Sequence, residues 1–182
     1  SRGIAIGRAH IVFHNQPDVR EYIIPSFSIE QEVARLSNAN ELAKQQLLSI
    51  RDHIPTNAPT DVSSFIDTHL LMLNDSSLTT VPIDMIRTRR CNAEWALQVQ
   101  RDALINVFNE MDDPYLRTRQ DDIDHVVNRI HRLLAEENVL EHEIPDGRLK
   151  GHIIIAEDLT PADTVLMQHQ GIAGFVTEHG GA

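Results

Sequence analysis

The stretch HIIIAEDLTPADTVLMQHQGIAGFVTEHGGA (152–182) places two strand-like segments on either side of a helix-like one. HIIIA (152–156) is a short run rich in β-branched residues, which is typical of a buried strand. DLTPADTV (158–165) carries the signals of a helix start, namely a capping threonine, a proline at the first helical position and an acid at the third. GIAGFVT (171–177) reads as a second strand. The stretch therefore predicts a β/α unit.

Before this unit, the pattern changes twice along the chain. GIAIGRAHIVF (3–13) is apolar and partly alternating, which predicts a strand that belongs with the β/α unit. Residues 28–135 instead repeat apolar side chains at helical spacing. Helix-start signals lie at Ser28 with Gln31, Asp61, Asn92, and Asp113 with Pro114. Short connections between these helices favour antiparallel neighbours.

The predicted fold is therefore mixed, of the α+β class. Four helices, arranged as two hairpins, are inserted into one β/α domain, and Pro82 is expected to begin or kink a continuation of the second helix. The expected bounds are 1–24 for the first strand region, 25–137 for the helical subdomain and 138–182 for the rest of the β/α domain.

Composition narrows the class of protein. The 182 residues carry a net charge of −11 and one cysteine, Cys91. An acidic chain repels nucleic-acid phosphates but suits a basic protein partner. No apolar run approaches the ~18 residues that a membrane span needs, and a lone cysteine forms no intramolecular disulfide. We expect a cytoplasmic protein that binds neither nucleic acid nor membrane.

The sequence alone predicts no metal site. Ten histidines are present, but no HExxH or CxxC motif occurs, and no histidine pair at i,i+4 lies on a predicted helix. His125 and His131 are six residues apart, which places them on different faces of a helix. The acid pairs at 112–113 and 121–122 fit helix capping and solvation better than cation binding. The histidines are interpreted as scattered surface residues.

Gly180 and Gly181 follow the last predicted strand. Such a turn lets the backbone approach a ligand closely, and its N–H groups can hold an anion. A glycine pair after a strand is also an ordinary turn. Taken alone, the two residues leave both interpretations open.

The combination of motifs resembles Enzyme I of the phosphoenolpyruvate-dependent sugar phosphotransferase system, over essentially the whole chain. In that family a histidine accepts phosphate from phosphoenolpyruvate and passes it to a histidine of the small carrier protein HPr. The resemblance implies a swivelling β/α phosphohistidine domain with an inserted HPr-binding helical subdomain. It rests on AEDLTPADTV (156–165), GFVTEHGGA (174–182), GIAIGRAHI (3–11), FIDTHLLMLND (65–75), NAEWAL (92–97) and MDDPYLRTRQDDI (111–123).

The same resemblance implies where the phosphate acceptor lies. The family motif continues as GGxTSH, so the acceptor histidine is expected three residues beyond Ala182, and His179 does not match its position. Thr164 stands where a threonine of the family approaches the phosphohistidine. Gly180 and Gly181 are also expected to lie near that histidine. Phosphoenolpyruvate and magnesium are expected to bind a barrel of the full-length protein, which is expected to dimerise through a C-terminal domain. The 182 residues by themselves are expected to be inactive and to need no cofactor.

The expected HPr-binding surface centres on the second helix. Leu70, Leu71, Met72 and Leu73 are four large apolar residues in succession, and one helical turn cannot bury all of them. Family position favours Leu71 and Met72 as the exposed pair, within a ring of acids that would meet a basic partner. Ser77 stands where other members often carry an acid. The remaining residues assigned to this surface by the resemblance are Asp61, Asp67, Asp75 and Arg119.

Three alternatives are kept open. The first is the nitrogen-branch paralogue of Enzyme I, whose distinguishing sensory domain would lie before Ser1. The second is a protein-binding module without catalysis. The third is a relative of pyruvate phosphate dikinase, which the helical insertion before HIIIA (152–156) disfavours.

Overall fold

A computed structural model describes residues 4–12, 19–55, 60–110, 114–135, 149–156 and 159–178. Its elements follow the predicted order, with a helical block between the first strand and the β/α unit. They are β1 (Arg8–Val12), a 3-10 turn (Ser26–Ser28), α1 (Ile29–Asp52), α2 (Thr60–Asn74), α3 (Thr80–Arg89), α4 (Ala93–Asn109), α5 (Pro114–Ala135), β2 (His152–Ala156), α6 (Pro161–His169) and β3 (Gly174–Thr177). The mixed class and the inserted helical block are confirmed.

The three strands form one parallel sheet with β2 in the centre. One face of the sheet is directed towards the interior, because Ile154 and Ala156 of β2 are buried. The other face carries Ile11, Ile155 and Val176, which are paired in register across the sheet. These three side chains are exposed by 53%, 38% and 56%. The described residues thus leave one apolar row of a parallel sheet uncovered, although such sheets are normally covered on both faces.

Helix α1 is the centre of the helical block. It packs against α2, α3, α4 and α5, and α4 packs against α5. Because its apolar residues recur every three or four positions, one continuous stripe faces these neighbours. The buried aliphatic side chains of that stripe are Val33, Leu36, Ala39, Ala43, Leu47 and Ile50. Each large one contributes about 1.5–3 kcal/mol by leaving water.

The predicted continuation of the second helix is a separate helix, α3. The chain turns between Asn74 and Thr80, because Asp75 holds the turn: its Oδ1 accepts the Ser77 N–H at 2.8 Å. Pro82 lies in the first turn of α3, where its missing N–H costs nothing. The block therefore contains five helices in the described residues, with α2 and α3 in the place of the predicted second helix.

Three predicted helix caps differ from the structure. Ser28 precedes α1 but makes no side-chain cap hydrogen bond. Asp61 lies inside α2, which begins one residue earlier at Thr60. Asn92 is the N-cap residue of α4, yet its side chain accepts the Tyr22 N–H and donates to the carbonyl of Arg20. Long-range bonds have replaced the local cap at that position.

The predicted start of α6 is confirmed in its hydrogen bonds. Thr160 Oγ1 accepts the Asp163 N–H at 3.2 Å, and Asp163 Oδ2 accepts the Thr160 N–H at 3.0 Å. This reciprocal pair satisfies two donors that a helix N-terminus otherwise leaves without partners.

Helix α6 joins the β/α unit to the helical block. It packs against α1 and α2, and its Val165 belongs to the same buried cluster as the helical core.

Arg129 of α5 donates to Gln46 Oε1 at 3.2 Å. Burial, together with the charge of Arg132, lowers the pKa of Arg129, and Asp163 partly offsets this. Asp163, which pairs with Thr160 at the start of α6, therefore also reduces the cost of burying the Arg129 cation.

The sheet depends on a close backbone approach at Gly7. A Cβ at this position would overlap the backbone oxygen of Gly151, which cannot swing away as a side chain could. We expect Gly7→Ala to destabilise the β1–β2 pairing by about 1–3 kcal/mol, with amide exchange accelerated in the sheet more than in the helices. Gly174→Ala is the control, because a Cβ there meets only Ala5 Cβ at 3.8 Å, and equal effects of the two changes would contradict this account.

Candidate functional site

The apolar run on α2 is divided between the core and the surface. Leu73 is fully buried and Leu71 is 73% exposed, while Leu70 and Met72 are partly buried against the core. The prediction that one turn of helix cannot bury all four residues is confirmed, and Leu71 is the side chain that faces outwards. Met72 is partly buried, so it packs against the core and also contributes to the exposed surface.

Acidic side chains lie on both sides of Leu71. Asp67 precedes it by four residues and Asp75 follows it by four, which places all three along one face of α2 and its C-terminal end. Asp61 is also exposed, about one and two-thirds turns before Asp67. We name Asp61, Asp67, Leu71, Met72 and Asp75 the α2 surface. It joins one exposed apolar side chain to several carboxylates, an arrangement that suits a partner with an apolar contact ringed by basic groups.

Two of these acids already have partners within the chain. Asp67 Oδ1 lies 3.6 Å from Nη1 of Arg51, and both side chains are more than two-fifths exposed. Such a pair in water is weak and exchanges readily with a partner's basic group. Hydrogen bonds from the side chain and the backbone N–H of Ser77 hold the pKa of Asp75 below its ordinary value. The carboxylate of Asp75 is thus both ionised and oriented.

The residues predicted near the phosphohistidine are only partly described. Thr164 lies in the first turn of α6, half-buried, where its Oγ1 donates to the carbonyl of Pro161 at 2.7 Å. His179, Gly180 and Gly181 lie outside the described residues. Because α6 packs against α2, the helix that carries Thr164 lies beside the helix that carries the α2 surface. Arg119 belongs to α5, and nothing is described of its side chain.

The structure also groups residues that the sequence did not indicate. His69 of α2 lies between the helices with Nε2 at 3.3 Å from Oδ1 of Asp122, and His125 of α5 is adjacent. His131 is buried as well, with Nε2 at 3.2 Å from the carbonyl of Glu94, and burial lowers its pKa. The interpretation of the histidines as scattered surface residues is wrong for His69 and His131. The partners lie on other helices, so spacing along the chain carried no signal.

Helix composition bears on membrane insertion. In the part of the chain that the structure describes, none of the helices combines the length and the apolar character needed to cross a bilayer.

Comparison with known families gives two matches along the chain. Residues 1–119 match the family described as PEP-utilising enzyme, N-terminal, and residues 148–182 match the one described as PEP-utilising enzyme, mobile domain. The first runs from the β1 region into the first turns of α5, and the second covers the β/α unit. Residues 120–147, which include most of α5, lie between the two matches.

Similar proteins and structures agree with these matches. The chain is 39% identical to a phosphoenolpyruvate-protein phosphotransferase of Cupriavidus necator and 34% identical to one of Listeria innocua, in each case over 100% of its length. It spans about a third of these relatives, 32% and 31% of their lengths. A solution structure of Enzyme I matches with a TM-score of 0.78 and 26% identity, covering 100% of this chain and 72% of that one. The N-terminal domain of "Enzyme 1 - Nitrogen" matches in fold, with a TM-score of 0.71, 19% identity and coverage of 98% and 71%.

Proposed function

The chain belongs to the PEP-utilising enzyme family, and from that premise we propose that it forms the HPr-binding part of a phosphoenolpyruvate–protein phosphotransferase. The whole protein would take phosphate from phosphoenolpyruvate onto a histidine and pass it to a histidine of HPr. The observation that carries this proposal is the exposed Leu71 between Asp67 and Asp75 on one face of α2. The names of the relatives that match over the full chain support it.

The α2 surface is the proposed docking site for the carrier. Leu71 would enter an apolar contact, since burying an exposed leucine is favourable and fixes the orientation of the partner. Asp61, Asp67 and Asp75 would attract basic groups and speed encounter, with the net charge of −11 acting in the same direction. We assign supporting roles to Met72, Ser77 and Arg119.

The proposed chemistry is two successive phosphoryl transfers through a histidine that follows Ala182 in the whole protein. In the first, the enol oxygen of phosphoenolpyruvate leaves as the histidine nitrogen bonds to phosphorus. In the second, that nitrogen leaves as the HPr histidine attacks. Such a covalent strategy divides one difficult transfer into two. Thr164 and the turn at Gly180 and Gly181 would lie near the phosphate, and magnesium would bind with phosphoenolpyruvate in another part of the protein.

We also propose the division into 1–24, 25–137 and 138–182 as structural units of the whole protein. The exposed row of Ile11, Ile155 and Val176 would then be covered by the remainder of the phosphohistidine domain. From the family resemblance we also propose a cytoplasmic location and dimerisation of the whole protein through a C-terminal domain.

Calorimetric titration of the chain with HPr tests the docking proposal. We expect one-to-one binding that weakens as salt is raised, because exposed charges are screened within about 8 Å at physiological ionic strength. The proposal would be refuted if circular dichroism shows the chain to be helical and folded but the chain does not bind HPr. The nitrogen-branch carrier is the comparison: if it binds more tightly than HPr, the chain belongs to that branch.

The 182 residues should not accept phosphate by themselves. We expect that incubation with phosphoenolpyruvate and magnesium leaves the mass at 20.6 kDa, because the proposed acceptor histidine follows Ala182. Intact-mass spectrometry at neutral to alkaline pH, where phosphohistidine survives, is the measurement. A chain extended through the acceptor is the positive control when phosphorylated by full-length enzyme. Phosphate on His179 or another histidine of this chain would contradict the assignment.

A further inference from the structure

Three potential metal ligands meet between α2 and α5, away from the α2 surface. His69 comes from α2, and Asp122 and His125 come from α5. The ligand atoms of the three side chains all lie within 4.8 Å of one another, and His69 Nε2 lies 3.3 Å from Asp122 Oδ1. Nothing in the proposed phosphate relay requires this grouping.

The backbone directs these side chains to a common point. Asp122 and His125 are three residues apart on α5, so they lie on the same face of that helix. α2 packs against α5, and this brings His69 to that face from the opposite side. An acid and a histidine at i,i+3 on one helix, with further ligands from a facing helix, is the way that helix bundles build metal sites in their cores.

The distances between the three side chains are compatible with a shared metal ion. A charged histidine–carboxylate hydrogen bond is normally about 2.7–2.9 Å long, and 3.3 Å exceeds this range. Two ligands on a tetrahedral Zn²⁺ with bonds of about 2.0–2.1 Å lie about 3.3–3.4 Å apart. His69 and Asp122 therefore already span one edge of such a tetrahedron. The ligand nitrogen of His125 needs to approach by about 1.4 Å at most, which a side-chain rotation supplies.

The surroundings of His69 are largely apolar. The ring of His69 is buried, and the ring of Phe65 lies against it, tilted by 48°, at a centroid distance of 4.0 Å. The Phe65 ring also lies 6.0 Å from that of His125. Asp122 keeps part of its side chain in contact with solvent, so water can reach this edge of the cluster. Imidazole and carboxylate ligands together suit Zn²⁺ and related transition metals rather than Mg²⁺.

We propose that His69, Asp122 and His125 form a transition-metal site with water as the fourth ligand, and that Zn²⁺ is the ion it holds. Binding connects α2 to α5 half a turn before Leu71, so the metal fixes the helix that carries the α2 surface. Because metal ligands bind in their deprotonated form, Zn²⁺ affinity is expected to be lower in acid than at neutral pH.

Metal titration of the chelator-treated chain tests this site. With Zn²⁺ alone, we expect one ion per chain in calorimetry and a rise in the melting temperature, and with Co²⁺ the intense visible absorption of four-coordinate nitrogen–oxygen sites. Mg²⁺ at the same concentration should do neither. His125→Gln and Asp122→Asn, each checked for helicity by circular dichroism, should weaken Zn²⁺ binding more than about 100-fold, since even outer-shell partners of a metal site contribute 10–100-fold.

The control variant is His10→Gln. His10 and His152 lie on the sheet with ring centroids 6.4 Å apart, so they are a second place where histidines could gather a metal. The proposal predicts unchanged Zn²⁺ affinity in His10→Gln. It is overturned if that variant loses the binding, if folded His125→Gln and Asp122→Asn keep it, or if the folded wild-type chain binds no Zn²⁺.

Discussion

Leu71→Arg is expected to weaken HPr binding at least about 100-fold, a loss of about 2.7 kcal/mol. Leu71 offers the large exposed apolar side chain at the centre of the α2 surface, and central anchors carry most of the energy of an interface. Arginine removes this contact and places a positive charge against a basic partner. Calorimetry with HPr measures the loss.

The same change should leave the fold intact. Leu71 is mostly in water, so its replacement is expected to alter the free energy of unfolding by about 0.5 kcal/mol or less. Met72 is a poorer probe, because it also packs against the core and its truncation lowers stability as well as binding. Leu42→Arg on α1 is the matched control, since Leu42 is an exposed leucine outside the α2 surface. Equal loss of binding in both variants would contradict the docking proposal.

Arg35→Met should destabilise the fold by about 2–4 kcal/mol, somewhat less than the ~3–5 kcal/mol lost when one partner of a fully buried ion pair is removed, because these side chains keep some exposure. Arg35 of α1 makes two 2.7 Å hydrogen bonds to the carboxylate of Glu94 on α4, and a third bond of 2.7 Å to Glu32. It also donates to the carbonyl of Leu134 on α5 at 3.2 Å. Its loss leaves two largely buried carboxylates without their cation. Urea denaturation at pH 7 measures the difference.

The pH dependence of this difference has a definite sign. Burial opposes ionisation of Glu94, but the hydrogen bonds and charge of Arg35 outweigh it and lower the pKa of Glu94. A lowered folded-state pKa stabilises the fold above the unfolded value, about 4.3 for glutamate, and this contribution is lost as pH falls through the folded value. The difference in the free energy of unfolding between wild type and Arg35→Met should therefore become smaller below about pH 4. A gap that widens in acid would contradict the assignment.

Arg87→Met is the control for this ion-pair network. Arg87 binds Glu30 through two 3.0 Å hydrogen bonds, and both side chains are largely in water. Exposed pairs of this kind contribute little to stability. We expect Arg87→Met to unfold at nearly the same urea concentration as wild type. If it were as destabilised as Arg35→Met, burial would not be the cause of the larger effect.

Local signals in the sequence predicted the parts of the fold that local bonds create. The reciprocal hydrogen bonds between Thr160 and Asp163 lie within four residues of the chain. The strands of the β/α unit are continuous apolar runs. Helix geometry predicted that at least one of the four residues 70–73 is exposed, since four large side chains in succession cannot share one buried face. The choice of Leu71 came from the family resemblance. These features needed no knowledge of distant residues.

Features built from distant residues were not predictable in this way. Asn92 was expected to cap α4 with its side chain, but it bonds instead to Tyr22 and Arg20, about 70 residues earlier. His69 and Asp122 are 53 residues apart and meet only because α2 packs on α5. The end of α2 at Asn74 was only partly predictable. The hydrogen bond between Asp75 and Ser77 is local, but packing decides whether that turn forms or the helix continues.

Amide chemical-shift mapping of the ¹⁵N-labelled chain during titration with HPr tests the central claim most directly. The account predicts that the largest shifts fall on Asp67, Leu71, Met72 and the turn from Asp75 to Ser77, and that Leu71→Arg abolishes them. Small shifts are expected in α3 and in the sheet. Saturable shifts confined to the row of Ile11, Ile155 and Val176, or the absence of shifts in a folded chain at millimolar HPr, would contradict it.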